Sequence, residues 1–249
     1  DYKLRFFTNI SHEFRTPLTL IKGSVDTLME LKAKMSEPLQ KVVADIDINT
    51  SHLMRLIEQL LEFRKLQNNK QKLNLQRVEG IEFLKKIFTS FENVAAKTNI
   101  RYNFISSENT LPVYFDTNKV DKIVFNLLSN AFKFTPRGGQ ISMEVEADHD
   151  QHVVRISVAD TGIGIPKEKQ DLLFSRFMQI NFSQQGTGIG LHLVSEFTAL
   201  HRGKVEYREN EGGGSVFTVE FPLDSGVYQP DDFVNQEVKA LHTESGEVY

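Results

Sequence analysis

The chain contains no cysteine in 249 residues. That removes any disulfide framework, any thiolate metal site and any cysteine nucleophile, and it suits a reducing compartment. No apolar run approaches the roughly eighteen residues that would cross a bilayer, so this segment is expected to make no membrane contact. The excess of one sign of charge is also small. A net charge of −4 leaves no electrostatic footprint for nucleic acid. No signal peptide is present, but Asp1 stands inside a helical pattern, so the sequence is expected to be a segment of a longer chain. What is there is ordinary for a folded protein: 40% hydrophobic and 25% charged residues, enough for one or two domains with a proper core.

Residues 1–33 and 38–67 read as two long amphipathic helices around a turn at Met35-Ser36-Glu37-Pro38, where Ser36 and Pro38 suit a helix start. In the first helix Phe7, Ile10, Phe14, Ile21, Val25 and Leu28 form a stripe. In the second, Val42, Ile46, Asn49, Leu53, Leu56, Leu60 and Phe63 alternate at spacings of four and three, which is a heptad seam. Two helices cannot bury two such seams, so a homodimer with a four-helix bundle is expected, Asn49 fixing its register; packing of the hairpin on its own chain is the alternative. A polar linker, 67–72, follows.

The second domain is predicted over 73–223. Strands are expected at 73–78, 100–105, 112–115, 140–147 and 152–159, then a closing hairpin of 204–208 and 215–221. Helices are expected at 80–97, 118–133, 167–177 and 188–200. The class is therefore α+β, a helical hairpin and then one mixed sheet covered on one face by helices. From Asp224 to Tyr249 there are six acidic residues, one lysine and few apolar anchors, so an acidic tail or linker with little fixed structure is expected.

Five segments carry candidate chemistry. His12 and Thr16 are four apart on one helix with Glu13 beside them, and His12 lies roughly 200° from both Ile10 and Phe14, pointing outward. Pro17 deprives the Glu13 carbonyl of its helical partner and should bend the helix there. Alone, the trio reads more readily as a solvated face, by general exposure tendencies. Asn126 and Asn130 share a helix face with Lys133 one turn on. Amide oxygens suit Mg²⁺ and an ammonium suits phosphate, although asparagine on a helix is commonly only solvated or capping.

Asp160-Thr161-Gly162-Ile163-Gly164-Ile165-Pro166 follows an apolar strand. A carboxylate there can read an amino group such as adenine's, with glycines admitting the base; a tight glycine turn is the plain alternative. Gly186-Thr187-Gly188-Ile189-Gly190-Leu191 opens a helix, where N–H groups and the dipole favour an anion. It matches neither the Gly-x-x-x-x-Gly-Lys-Ser/Thr loop nor the Gly-x-Gly-x-x-Gly fingerprint with its later acidic residue. Phe174 and Phe177 bracket the start of a polar segment, 178–187, that could be a lid; core packing is the plainer role for the two rings.

In order and spacing these segments resemble the sensor histidine kinases of two-component signalling, over nearly everything from residue 1 to about 223. Residues 11–18 resemble the H box, 122–136 the N box, 160–166 and 186–191 the two glycine boxes, and 174–177 the F box. The resemblance implies a dimerisation and phosphotransfer hairpin followed by an ATP-binding α/β sandwich of the Bergerat type. It implies autophosphorylation of His12, then transfer to an aspartate of a response regulator receiver domain, in cis or in trans. His12 would be the phospho-acceptor, Glu13 its orienting base, and Thr16 the position that aids dephosphorylation of the regulator. ATP would be held with Mg²⁺ on Asn130, phosphates at Asn126 and Lys133, and adenine at Asp160, with Gly162, Gly164, Gly186, Gly188 and Gly190 shaping pocket and lid. It implies a cytoplasmic segment of a membrane-anchored sensor. Two departures stand out. Met178-Gln179 occupies the place of an aromatic-Arg pair found in many relatives, and the lid is short. ATP hydrolases that share the pocket place a glutamate at the position of Asn126, and asparagine cannot serve as that base. A nucleotide-sensing scaffold without turnover is disfavoured by intact His12, Glu13, Asn130 and Asp160.

Overall fold

The computed structural model describes residues 18–31, 36–67, 72–175 and 188–234. His12, Glu13, Thr16, Arg176, Phe177, Met178, Gln179, Gly186 and the tail from 235 lie outside the described residues. The chain divides into two compact units, Asp1–Gln71 and Lys72–Tyr249, and the dividing point falls in the polar stretch 67–72.

In the first unit, helix α1 covers residues 18–30 and helix α2 spans Glu37–Gln67. Leu18, Ile57 and Leu61 form a buried cluster, with Met54 packed against it. Lys22 of α1 and Asp47 of α2 form an ion pair at 2.8 Å. Within one chain the predicted seam on α2 is buried at Phe63, but the main buried line is another. Val43, Thr50 and Ile57, seven apart, face inward, whereas Val42, Ile46 and Leu53 are 52%, 42% and 45% exposed. On α1, Val25 is buried while Ile21 and Leu28 are exposed. The reason is geometric: successive residues on a helix are 100° apart, so a seam offset by one residue faces another neighbour.

In the second unit the order is β1 (Gln76–Glu79), α3 (Gly80–Thr89), α4 (Glu92–Thr98), β2 (Arg101–Ser106), β3 (Pro112–Phe115), α5 (Thr117–Phe134), β4 (Gln140–Asp148), β5 (Val153–Asp160), α6 (Lys167–Gln170), α7 (Gly190–Leu200), β6 (Lys204–Glu209) and β7 (Ser215–Pro222). The main sheet has the order β2-β4-β5-β7-β6, and β1 and β3 form a separate antiparallel ribbon. β2 and β4 run parallel; the other pairs of the main sheet are antiparallel. Strand alternation sends Ile141, Met143 and Val145 of β4, and Val154, Ile156 and Val158 of β5, into the core. On α5 the buried set Val120, Ile123, Val124, Leu127, Leu128 and Ala131 makes a 3.6-period stripe against α7 and β5.

Three elements depart from the predicted pattern. The helix expected over 80–97 is two helices. Ser90 Oγ donates to the Ile87 carbonyl at 2.6 Å, and Phe91 turns inward to stack on Phe132 with centroids 5.4 Å apart. That stacking favours the break over a continuous helix. Of the helix expected over 167–177, only Lys167–Gln170 forms among the described residues, and turns follow to Ser175. Beyond Asp224, where little fixed structure is expected, residues 225–227 and 230–232 form short 3-10 turns and Tyr228 is buried.

Candidate functional site

α5 starts at Asp116, whose carboxylate caps the Lys119 N–H at 3.2 Å. With the stripe of α5 turned inward, Asn126, Asn130 and Lys133 fall together on another face, at spacings of four and three. The Asn126 amide is oriented by donating to the Lys122 carbonyl at 2.7 Å. Lys133 Nζ lies 5.0 Å from the centroid of the Phe134 ring, and desolvation holds its ammonium below the ordinary lysine range. The helix closes at Thr135, whose hydroxyl donates to the Ala131 carbonyl at 2.6 Å.

Asp160 ends β5, in register with Ile141 of β4 and Ser215 of β7, and only 5% of it is exposed. Its Oδ1 accepts the Gly162 N–H at 2.7 Å. Burial pushes the carboxyl up from the ordinary aspartate range, and the Gly162 and Ser215 N–H groups pull it partly back. A Cβ on Gly162 would stand 2.6 Å from the Phe134 carbonyl oxygen and 2.7 Å from Asp160 Oδ1. Glycine is therefore required by close approach of backbone, and that approach joins the turn after β5 to the end of α5. Thr161 completes the join, exchanging hydrogen bonds with the Gln140 backbone at 2.9 and 3.0 Å.

The β6–β7 turn closes the site from the other side. Gly214 has φ +106°, and a Cβ there would lie 2.1 Å from the Asp160 carbonyl oxygen. Asn210 Nδ2 donates to that same oxygen at 2.8 Å. Neither residue is among the sequence candidates, although the run Gly212-Gly213-Gly214 between two strands was a visible signal of close backbone approach. Gly164 sits nearby, the site of its absent Cβ 3.5 Å from the Gly214 carbonyl oxygen.

Gly188 and Gly190 lead into α7, behind buried Ile189. The N-cap residue of α7, Ile189, makes no side-chain cap hydrogen bond, and a helix start of this kind favours an anion through its N–H groups and dipole. His192 Nδ1 lies 3.2 Å from the Phe174 carbonyl oxygen, and the Phe174 ring packs edge-on against Phe217 at 6.4 Å. His192, which no sequence motif singles out, thus ties the α7 start to the Phe174 end of the polar segment. The end of α5 at Phe134 meets Gly162 beside Asp160, Gly164 lies by Gly214, and Gly188 and Gly190 lead into a helix packed on α5.

Among the described residues, no three His, Cys, Asp or Glu side chains cluster as a metal cage. A neutral amide donor such as Asn130 instead fits a cation that arrives with phosphate oxygens and keeps its own waters, the habit of Mg²⁺.

The chain is similar to known proteins over most of its length. Residues 2–69 match the family model of the His Kinase A (phospho-acceptor) domain, and residues 115–225 match that of the histidine kinase-, DNA gyrase B- and HSP90-like ATPase. Histidine kinase P4 of Formosa agariphila is 38% identical over 94% of this chain and 17% of its own length. The crystal structure of full-length ShkA in complex with AMPPNP superposes with a TM-score of 0.69 at 28% identity, covering 88% of this chain and 45% of that one. The histidine kinase ThkA in complex with the response regulator protein TrrA gives a TM-score of 0.57 at 25% identity, covering 88% of this chain and 61% of that one. The chain therefore spans only a minor part of the curated relative it matches.

Proposed function

Since this chain belongs to the histidine kinase family and comprises its phospho-acceptor and ATPase-type segments, we propose that it uses ATP to phosphorylate its own His12 and passes the phosphoryl group to an aspartate of a response regulator. The observation that carries this reading is the seating of Gly162, whose backbone is wedged between the Phe134 carbonyl and the Asp160 carboxylate. On this reading the polar face of α5 and the buried acceptor of β5 border one nucleotide space.

In that space Asp160 accepts from the exocyclic amino group of adenine, and Lys133 and the α7 N-terminus face the phosphates. Asn130 is the protein's contribution to a Mg²⁺ ion carried by the nucleotide, with Asn126 beside it; the ion supplies charge neutralisation. Phosphoryl transfer demands mainly alignment and electrostatic stabilisation, which these groups provide. Gly186, with Gly188 and Gly190, belongs to the loop over the phosphates. Attack requires a neutral His12 imidazole, and Glu13, accepting from its other nitrogen, fixes the tautomer and raises nucleophilicity. Thr16 serves the reverse traffic by positioning water against the phosphorylated regulator.

The outward line Val42, Ile46 and Leu53, with Ile21 and Leu28 of α1, is apolar and exposed in one chain. A second copy covers it, giving a homodimeric four-helix bundle. Among the described residues no helix is long and apolar enough to cross a membrane. The segment works where ATP and the regulator are, on the cytoplasmic side of a longer, membrane-anchored sensor.

The test is incubation with γ-labelled ATP and Mg²⁺ beside His12→Ala. Acid-labile, base-stable label on the parent and none on the variant is expected. ATP bound without label on either protein would replace the kinase with a nucleotide-sensing scaffold.

A further inference from the structure

Three strands meet at the base side of the nucleotide groups. Directly paired residues of neighbouring antiparallel strands share one face of a sheet. Asp160 of β5 pairs with Ser215 of β7, which pairs in turn with Glu209 of β6. Two residues along, Val158, Phe217 and Tyr207 make the next row on that face. Tyr207 therefore stands on the face that carries the Asp160 carboxylate, with β6 two strand spacings, roughly 9–10 Å, from β5. Its ring is held in place, tilted on Phe217 with centroids 5.2 Å apart, and Phe217 meets Phe174 edge-on at 6.4 Å.

The turn after Asp160 is tied to the same strand and its hairpin. Gln170 Nε2 of α6 donates to the Ile165 carbonyl at 3.0 Å and to Glu209 Oε1 at 3.2 Å, and Asn210 Nδ2 donates to the Asp160 carbonyl at 2.8 Å. The Ile165 side chain is buried. The Tyr207 hydroxyl is shielded from solvent, yet it completes no hydrogen bond among the described residues. Burial raises its pKa above the ordinary tyrosine value, the Ser215 side chain and the Ile165 N–H pull it part way back, and the Glu209 and Asp160 charges push it up. The hydroxyl thus lies among the groups that hold the base acceptor. A buried hydroxyl without a partner is costly, and folded proteins satisfy most such groups. Here both available partners, Ser215 Oγ and the Ile165 N–H, flank Asp160.

We propose that Tyr207 is a positioning residue for the base: when adenine settles against Asp160 the turn 161–166 draws in, and the Tyr207 hydroxyl closes on the Ile165 N–H and Ser215 Oγ. This inference deepens the ATP-binding reading above and rests on it. A ligand shifts an equilibrium only by its differential affinity for the two states. A bond made only with the base bound therefore adds to affinity, whereas one made in both states adds nothing. Tyr207 acts at the base and not on the transferred phosphoryl group, so its contribution is uniform binding, which sets half-saturation in ATP and not the rate at saturation.

The test is Tyr207→Phe in the full chain, which keeps the ring packing and removes only the hydroxyl. Adenosine, ATP and inorganic tripolyphosphate are titrated by calorimetry, thermal unfolding is followed without nucleotide, and His12 labelling is measured across ATP concentrations. Adenosine and ATP affinity are expected to fall alike by about two- to tenfold, the worth of one neutral hydrogen bond, with tripolyphosphate affinity unchanged. Half-saturating ATP should rise by the same factor while labelling at saturation stays within twofold of the parent. The melting temperature without nucleotide should hold or rise, because an orphaned hydroxyl has gone. Unchanged adenosine affinity would overturn the inference. So would a fall in that melting temperature, since the hydroxyl's bonds would then already exist in the free protein. A parent chain that binds neither adenosine nor ATP would overturn the nucleotide reading and Tyr207 with it. A parent that binds ATP without label would overturn the kinase reading alone, and the adenosine comparison would still decide Tyr207.

Discussion

Asp160→Asn separates recognition from stability. The carboxylate is 5% exposed, and one oxygen already takes the Gly162 N–H. An amide of the same shape keeps that bond through its oxygen but presents N–H₂ where adenine also presents N–H₂. The loss is one hydrogen bond to a charged acceptor, about 1.5–3 kcal/mol, or roughly 10- to 150-fold in ATP affinity. The fold should lose little. Burial already disfavours the ionised carboxyl, so a neutral amide relieves that cost and the melting temperature should hold or rise. The same burial predicts a pH dependence. As the ionised form is the acceptor, affinity should weaken on acidification from a higher pH than an ordinary aspartate would give, and the Asn variant should lack that limb. Titration of ATP by calorimetry, with thermal unfolding of the same samples, reads both effects. Unchanged affinity, or affinity and melting temperature falling together, would refute the assignment of Asp160 to the base.

Glu13→Ala should slow His12 labelling without weakening ATP binding, as followed by labelling rate and nucleotide titration in parallel; equal losses in both would place Glu13 elsewhere. Glu79 accepts the N–H groups of Ile81, Glu82 and Leu111 at 3.3, 2.6 and 2.5 Å. Burial alone would raise its pKa, but those donors outweigh it and hold it below the usual range. Its stabilisation is therefore present above about pH 4.5 and lost as pH falls through the lower folded value. Glu79→Ala should cost about 1–2 kcal/mol near neutrality by denaturant titration, a gap that closes in acid. His201 is held below the ordinary histidine range by burial, against the opposing pull of the Phe197 carbonyl and Asp116. The unfolded chain takes up a proton near pH 6.5 that the folded one refuses, so stability is complete above about 6.5 and declines below it. His201→Gln should flatten that decline in melting temperature. Leu53→Lys should disperse the dimer in light scattering while leaving ATP affinity intact, because Leu53 is exposed in a single chain and outside the second unit.

Local pattern carried far here because helices and strands of this chain declare themselves by period. The α5 stripe and the β4 and β5 alternation are written in neighbouring residues, and the polar face 126, 130 and 133 follows from the same arithmetic. The pattern left the outcome open where two solutions share one local signal. On α2 the lines through Val42 and Val43 both repeat at seven; within one chain Val43, Thr50 and Ile57 are buried, and of the Val42 line Phe63 is. At Phe91 a continuous helix was locally acceptable, and the stacked Phe132 ring from a distant helix decided against it.

By itself, the sequence determined the composition class, most element boundaries, the order of the chemical segments and their kinship. Those depend on residues within a few turns of one another. Only the tertiary structure decided that the Gly162 backbone lies beneath the Phe134 carbonyl, that Gly214 closes on Asp160, and that Phe233 grips Leu75. Each such contact joins segments far apart in the chain, and its register is chosen by sheet pairing and core packing together, which no local periodicity encodes.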